Sequence, residues 1–227
     1  MNIRKTALEA ALLSAVVITA PASAQVSGIA TAETSVAIAN SKALGTAYQQ
    51  IAGQYAATFQ QILTKRQEIN NLSVQLDTNK DKELTQAELD VAIKAKSPLP
   101  VQLDAKQKEI DALQGPIILA QLFSVEQIAL KYNAAQEAVI AEKKINILLA
   151  PSAIIAAADV IDVTSAITAQ LDKMVPSVAM VPPAGWRASR QIGALYQQIQ
   201  QAQQIQAAQA AAAQPPAATP ADQPESR

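Results

Sequence analysis

Residues able to do chemistry are few, because the 227-residue chain contains no histidine and no cysteine. Nucleophile systems built on Ser-His or Cys-His are excluded, and so is an ordinary zinc site made of thiolates and imidazoles. No G-x-x-x-x-G-K-[ST] phosphate loop is present. Carboxylates are plentiful, but none stands in a recognisable pocket-forming pattern, so the sequence reads as that of a protein without enzymatic activity. One stretch concentrates oxygen-bearing side chains: Asp77-Thr78-Asn79-Lys80-Asp81-Lys82-Glu83-Leu84-Thr85-Gln86-Ala87-Glu88.

The spacing of that stretch resembles the calcium loop of the EF-hand family. The resemblance implies side-chain oxygens from Asp77, Asn79 and Asp81, the backbone carbonyl of Glu83 and a bidentate carboxylate from Glu88 around Ca2+. Leu84 stands where such loops carry an apolar residue, with Leu76 and Leu89 at the flanks. The departure is Lys82, where the loop's sharp turn takes glycine at positive φ; lysine there costs roughly 1 kcal/mol or more. A single loop lacking that glycine implies weak affinity, suited to an extracytoplasmic compartment. The other reading is a polar inter-helix turn, with Thr85 and Glu88 forming a capping box for a helix up to Lys96. Calcium is the one cofactor the sequence suggests, and none is required.

The elements that would hold this loop are helices. Tyr48, Tyr55, Ile62, Ile69 and Leu76 recur every seven residues, with Ile51, Thr58, Lys65 and Leu72 between them. Thr58 and Lys65 weaken the seam, yet a helix over 41–76 would extend roughly 54 Å at ~1.5 Å per residue. Beyond the loop, Ser97-Pro98-Leu99-Pro100 ends the short helix and turns the chain. Leu103, Ile110 and Ile117 are again seven apart; after Gly115-Pro116 the register moves onto Ile118, Val125, Tyr132 and Val139. The proline predicts a kink there rather than a domain boundary. Two heptad helices joined by a short region predict an antiparallel hairpin over 42–144, a coiled-coil arm with residues 77–88 at its tip.

After Lys144 the period changes to two short apolar runs, Ile145–Leu149 and Ile154 onward, parted by Pro151 and read as buried strands. Gly28–Glu33 alternates weakly and reads as a third. Asp162-Val163-Thr164 starts a final short helix that carries Ile167 and Leu171 on one face. The expected fold is mainly α with a small β body, residues 25–41 and 145–173. Three short strands make a poor sheet alone, so they are expected to assemble between protomers; a monomeric sheet covered by the 163–171 helix is the alternative.

Arg4 and Lys5, the apolar run Ala7–Ala20 and Ala22-Ser23-Ala24 have the three parts of a secretory signal, cleaved after Ala24. Removing Arg4, Lys5 and Glu9 from 18 basic and 19 acidic residues leaves a formal charge of −2, which argues against a nucleic-acid partner. With two Phe, four Tyr and one Trp, the composition suits long thin helices better than a thick core. Residues 174–227 are Pro- and Ala/Gln-rich and expected to be largely disordered. Within them a thin stripe of Ile192, Leu195, Ile199 and Ile205 marks a marginal helix that orders on a partner. Trp186, beside Arg187 and Arg190, offers peripheral contact with a membrane surface or a client, or tacks the tail onto the body; the second is favoured.

Strand, hairpin, two strands and helix behind a signal segment resemble the Skp/OmpH family of periplasmic chaperones. The resemblance is carried by Gly28–Glu33 with Ser41-Lys42-Ala43, by Tyr132-Asn133 with Glu137–Glu142, and by Asp162-Val163-Thr164 leading to Leu171. It covers roughly residues 26–173. It implies a homotrimer whose strands form a common β body, with three arms around a cavity. There, unfolded outer-membrane β-barrel proteins are held without ATP. The arm departs from the family's basic character, with twelve basic and twelve acidic residues over 42–144. A calcium-responsive envelope adaptor and a structural envelope coiled coil are the competing classes.

Overall fold

The computed structural model describes residues 28–213 apart from residue 157. The expected signal segment and the last thirteen residues lie outside the described residues. In chain order the elements are β1 (Ile29–Thr31), α1 (Thr34–Ala39), α2 (Lys42–Gln54), α3 (Ala56–Leu76), α4 (Gln86–Lys94), α5 (Leu99–Lys143), β2 (Ile147–Leu149), α6 (Thr164–Met174) and α7 (Arg190–Ala212). Local chemistry sets several boundaries. Ser41 Oγ accepts the Leu44 N–H at the start of α2, and Asp172 Oδ1 accepts the neighbouring Lys42 N–H at 2.8 Å. Pro100 lies in the first turn of α5, where a missing N–H is harmless, and α5 stops at Lys144 in the left-handed conformation, φ 53°.

The seven-residue spacing finds its partner across α5. Ile51 and Ile62 bury against Ile110, Ile117 and Ala120, with Tyr48, Tyr55 and Ile69 packed beside them. Ion pairs outside this seam join Lys65 to Glu109 and Lys106 to Glu68, so numbering rises along α3 as it falls along the facing part of α5. These pairs are partly exposed and fix relative position more than stability.

Two expectations about the helices are corrected. The helix expected over 41–76 is divided at Tyr55, whose φ −102° and ψ 19° lie outside the α-helical region. Conversely, the seam does not move onto Ile118 beyond Pro116, which lies inside α5: Ile117 is 5% exposed and Ile118 40%. The buried stripe passes from Ile117 through Ala120, Ser124 and Val125 to Ile128, Tyr132, Ala135 and Val139. A straight helix of ~3.6 residues per turn drifts ~20° per heptad, which accounts for the apparent one-residue shift.

At the base, β1 and β2 pair in parallel, with Ile29 opposite Ile147 and Thr31 opposite Leu149. The strand expected from Ile154 does not form among the described residues. Pro151 opens a 3-10 turn to Ala153, a second follows over Asp159–Ile161, and Ile155 is fully exposed. On this side Thr31 makes a single parallel bridge to Asp162, and its carbonyl accepts the Val163 N–H at 2.9 Å. That contact delivers Thr164, whose Oγ1 accepts the Glu33 N–H at 3.0 Å, into the start of α6. Ala37, Ile38, Leu44, Val125, Ile128, Val139, Ile167 and Leu171 then form the main core.

The C-terminal region also differs from expectation. Residues 190–212 are a helix, with Ser189 Oγ accepting the Ile192 N–H as its cap. The partner that orders it is the chain's own body. Ile199 is fully buried in the main core, Leu195 and Tyr196 pack beside it, and Tyr196 Oη donates to Gln121 Oε1 at 2.7 Å. Ile199→Ala is expected to lower the unfolding free energy by about 2–4 kcal/mol in a urea titration. A loss below about 0.5 kcal/mol would mean that α7 does not rest on the body.

Candidate functional site

The loop singled out by its carboxylates closes the end of the α3/α5 pair. Asp77 accepts two backbone N–H groups, from Lys80 at Oδ1 (2.6 Å) and from Lys82 at Oδ2 (2.9 Å). Asn79 Oδ1 accepts the Asp81 N–H at 2.9 Å, and Asp81 Oδ1 accepts the Glu83 N–H at 2.8 Å. Lys80 and Lys82 both have positive φ, 62° and 70°. Lys82 therefore occupies the left-handed conformation that glycine adopts without a Cβ penalty.

Glu88 is the buried member of the set, 7% exposed. Its Oε2 accepts the Thr85 N–H (3.0 Å) and Thr85 hydroxyl (2.9 Å), while Thr85 Oγ1 accepts the Glu88 N–H, completing a capping box for α4. Its Oε1 reaches across the loop to the N–H groups of Thr78 (2.8 Å) and Asn79 (3.3 Å) and to the Thr78 hydroxyl (3.1 Å). One carboxylate thus ties the start of the loop to the start of α4. In this arrangement the oxygens of Asp77, Asp81 and Glu88 face the loop's own donors. Among the described residues no group of three or more acidic side chains comes together as a cation cage. A bound cation would have to draw Glu88 out of five hydrogen bonds.

Those bonds depress the Glu88 pKa from its ordinary value to about 2; the Thr85 N–H contributes most, then the Thr85 hydroxyl, and both outweigh the opposing desolvation. A carboxyl depressed in the folded state contributes stability that is present above its ordinary value. That contribution is lost as pH falls towards about 2. In an acid titration followed by tip proteolysis, wild type is expected to loosen across this window. Glu88→Gln should already be loose at neutral pH and flat with pH. Identical profiles for the two would show that the Glu88 carboxylate does not tie the loop.

Two surfaces were not legible as sites in the sequence. The first is a groove of about 350 Å³ along α3 and α5, lined by Phe59, Ile62, Leu63, Arg66, Ile117 and Ile118. Phe59, Leu63, Ile118 and Leu119 stand beside the buried seam and are 37–50% exposed. Their signal was a second apolar row adjoining the heptad positions. The second surface is the outer side of α5 near Phe123, Glu126 and Gln127. Trp186 lies edge-on to Phe123 with ring centroids 5.2 Å apart, and its indole N–H donates to Glu126 Oε2 at 2.7 Å. Trp186 thus tacks the segment between α6 and α7 to α5.

The described residues thus form a long pair of helices on a two-stranded parallel base, with an apolar groove along the helices. No protein-family model and no curated protein matches the chain. A solved structure that is similar comes from Caulobacter crescentus and is described as a candidate outer membrane chaperone (OmpH-like). The match has a TM-score of 0.41 at 20% identity and covers 69% of this chain and 92% of that chain.

Proposed function

We propose that this protein is an ATP-independent periplasmic holdase for unfolded outer-membrane β-barrel proteins, reached by secretion and cleavage after Ala24. The observation that carries the reading is the second apolar row of the arm. Phe59, Leu63, Ile118 and Leu119 offer partly exposed contacts beside a seam that is already closed. Contacts of this kind are individually weak and can be made and broken without a chemical cycle. The resemblance of Gly28–Glu33, Tyr132–Glu142 and Asp162–Leu171 to the Skp/OmpH family supports the same reading. The balanced charge of the arm departs from that family and leaves client capture to apolar surface rather than to basic residues.

The proposed working unit is a homotrimer in which the hairpin arms surround a cavity. Supporting it are the base's two-stranded sheet, Ile147 at 49% exposure and the fully exposed Ile155, an arrangement that leaves strand edges and apolar side chains to be covered. Light scattering of residues 25–227 tests both parts, alone and after dilution of a urea-unfolded outer-membrane barrel into it. A trimer that gains one client's mass and keeps it from precipitating is the expected result. A monomer beside a precipitated barrel would sink the reading.

Calcium loading at the tip is a second reading, favoured by the left-handed Lys82 and its N–H on Asp77 Oδ2. On this reading Asp77, Asn79, Asp81 and Glu88, with the Glu83 carbonyl, release the loop's donors to hold Ca2+. Lys82→Gly is expected to stabilise the tip by about 1 kcal/mol and to tighten calcium binding measured by calorimetry. Absence of calcium heat in both wild type and Lys82→Gly would leave the loop as a turn.

A further inference from the structure

Residues 175–189 cross from α6 to α7 along the outside of α5 without forming helix or strand. Pro176, Pro182 and Pro183 keep this segment, Val175-Pro176-Ser177-Val178-Ala179-Met180-Val181-Pro182-Pro183, from becoming helical. Its backbone is nevertheless held. Gln127 Nε2 donates to the Ala179 carbonyl at 2.8 Å, and Gln127 Oε1 accepts the Ala179 N–H at 2.9 Å. A side-chain amide here takes both positions that a neighbouring strand would take. Val178 packs on the main core and Met180 on the arm seam. A turn closed by the Trp186 N–H on the Pro183 carbonyl, with Gly185 at φ 80°, precedes the indole on Phe123 and Glu126.

Apart from Trp186 and Gly185, this recognition asks only for a free peptide group and apolar side chains beside it. Gln127 reads one residue's backbone, and the flanking sites read apolar surface. An unfolded polypeptide presenting an apolar side chain on either side of a free peptide group offers the same features. We propose that the face of α5 bearing Phe123, Glu126 and Gln127 is a docking surface for unfolded apolar polypeptide. Residues 178–186 occupy it in the free protein as an internal competitor. The inference rests on the holdase reading and adds where on the arm a client segment is held and what covers that place beforehand. A tethered competitor is always at high effective concentration, so a single short chain displaces it only at high concentration, whereas a client that also binds elsewhere on the arm displaces it more readily.

Trp186 is the single tryptophan of the chain and reports directly on the segment. The test titrates the full mature chain with a tryptophan-free synthetic peptide copied from a barrel strand, following Trp186 emission. Wild type is expected to show a saturable red shift as the peptide displaces the segment. Ala179→Pro removes the N–H that Gln127 accepts without altering α5. It should tighten peptide binding about fivefold, the worth of one neutral hydrogen bond. Met180→Ser, also on the segment, should act in the same direction and decides the matter if Ala179→Pro changes the far-ultraviolet circular dichroism. Peptide binding that leaves Trp186 emission unmoved overturns the proposal. So do segment variants whose own emission is red-shifted but whose peptide affinity is unchanged. In either case, protection of a full-length barrel from precipitation by wild type keeps the holdase reading; failure of that protection removes both.

Discussion

A pair of helices can bury one stripe on each partner and no more, and this geometric limit governs the rest of the molecule. The seam of Ile51, Ile62, Ile110, Ile117 and Ala120 is closed by the pairing of α2 and α3 with α5. Everything a few tens of degrees away stays half in water. Phe59, Leu63, Ile118 and Leu119 are exposed because a two-helix arm has no third element to cover them. In a globular core such residues would be a defect. On the proposed holdase reading they are the working surface, and the same limit that makes the arm thin would make it adhesive.

The base solves the opposite problem. Its sheet has two strands of three residues each and could not stand alone. It is steadied by helices arriving from distant parts of the sequence: α1, α6, the far end of α5 and α7, which inserts Ile199, share one core with the strands. The links between these pieces are single, well-directed hydrogen bonds. Thr164 Oγ1 receives Glu33 N–H, and Asp172 receives Lys42 N–H across 130 residues of sequence. Polar side chains here place elements that apolar burial then holds. Between base and arm, the 175–189 segment touches both cores, Val178 on one and Met180 on the other, so that the joint is spanned by more than the helices themselves.

The tip shows how one carboxylate can serve either of two ends. Glu88 satisfies the first turn of α4 and the opening of the loop together, which accounts for its low pKa and for the order of a turn otherwise exposed. The residues that would bind a cation are those that close the turn, and the two uses compete for the same oxygens.

Periodicity made the seam legible: the recurrence of Ile62, Ile69, Leu76, Ile110 and Ile117 specifies which faces meet, because helical geometry converts spacing into direction. The Thr85 and Glu88 capping box and the left-handed demand on Lys82 were likewise local and readable. Three features were not. The interruption at Tyr55 has no proline or glycine at that residue to announce it, and the burial of Ile117 rather than Ile118 beside Pro116 is set by where the facing helix lies. The pairing of Gln127 with Ala179 joins residues 52 apart, through an amide that looks like any surface glutamine. The sequence by itself determined the helices, their apolar faces and the turn chemistry between them, since these depend on neighbours within a turn or a heptad. Tertiary structure alone decided that Ile154 onward finds no strand among the described residues, that the Ala/Gln-rich helix docks through Ile199, and that the proline-rich segment lies on α5. Each of those depends on which surfaces remain uncovered once the rest of the chain has packed, and no local pattern records that.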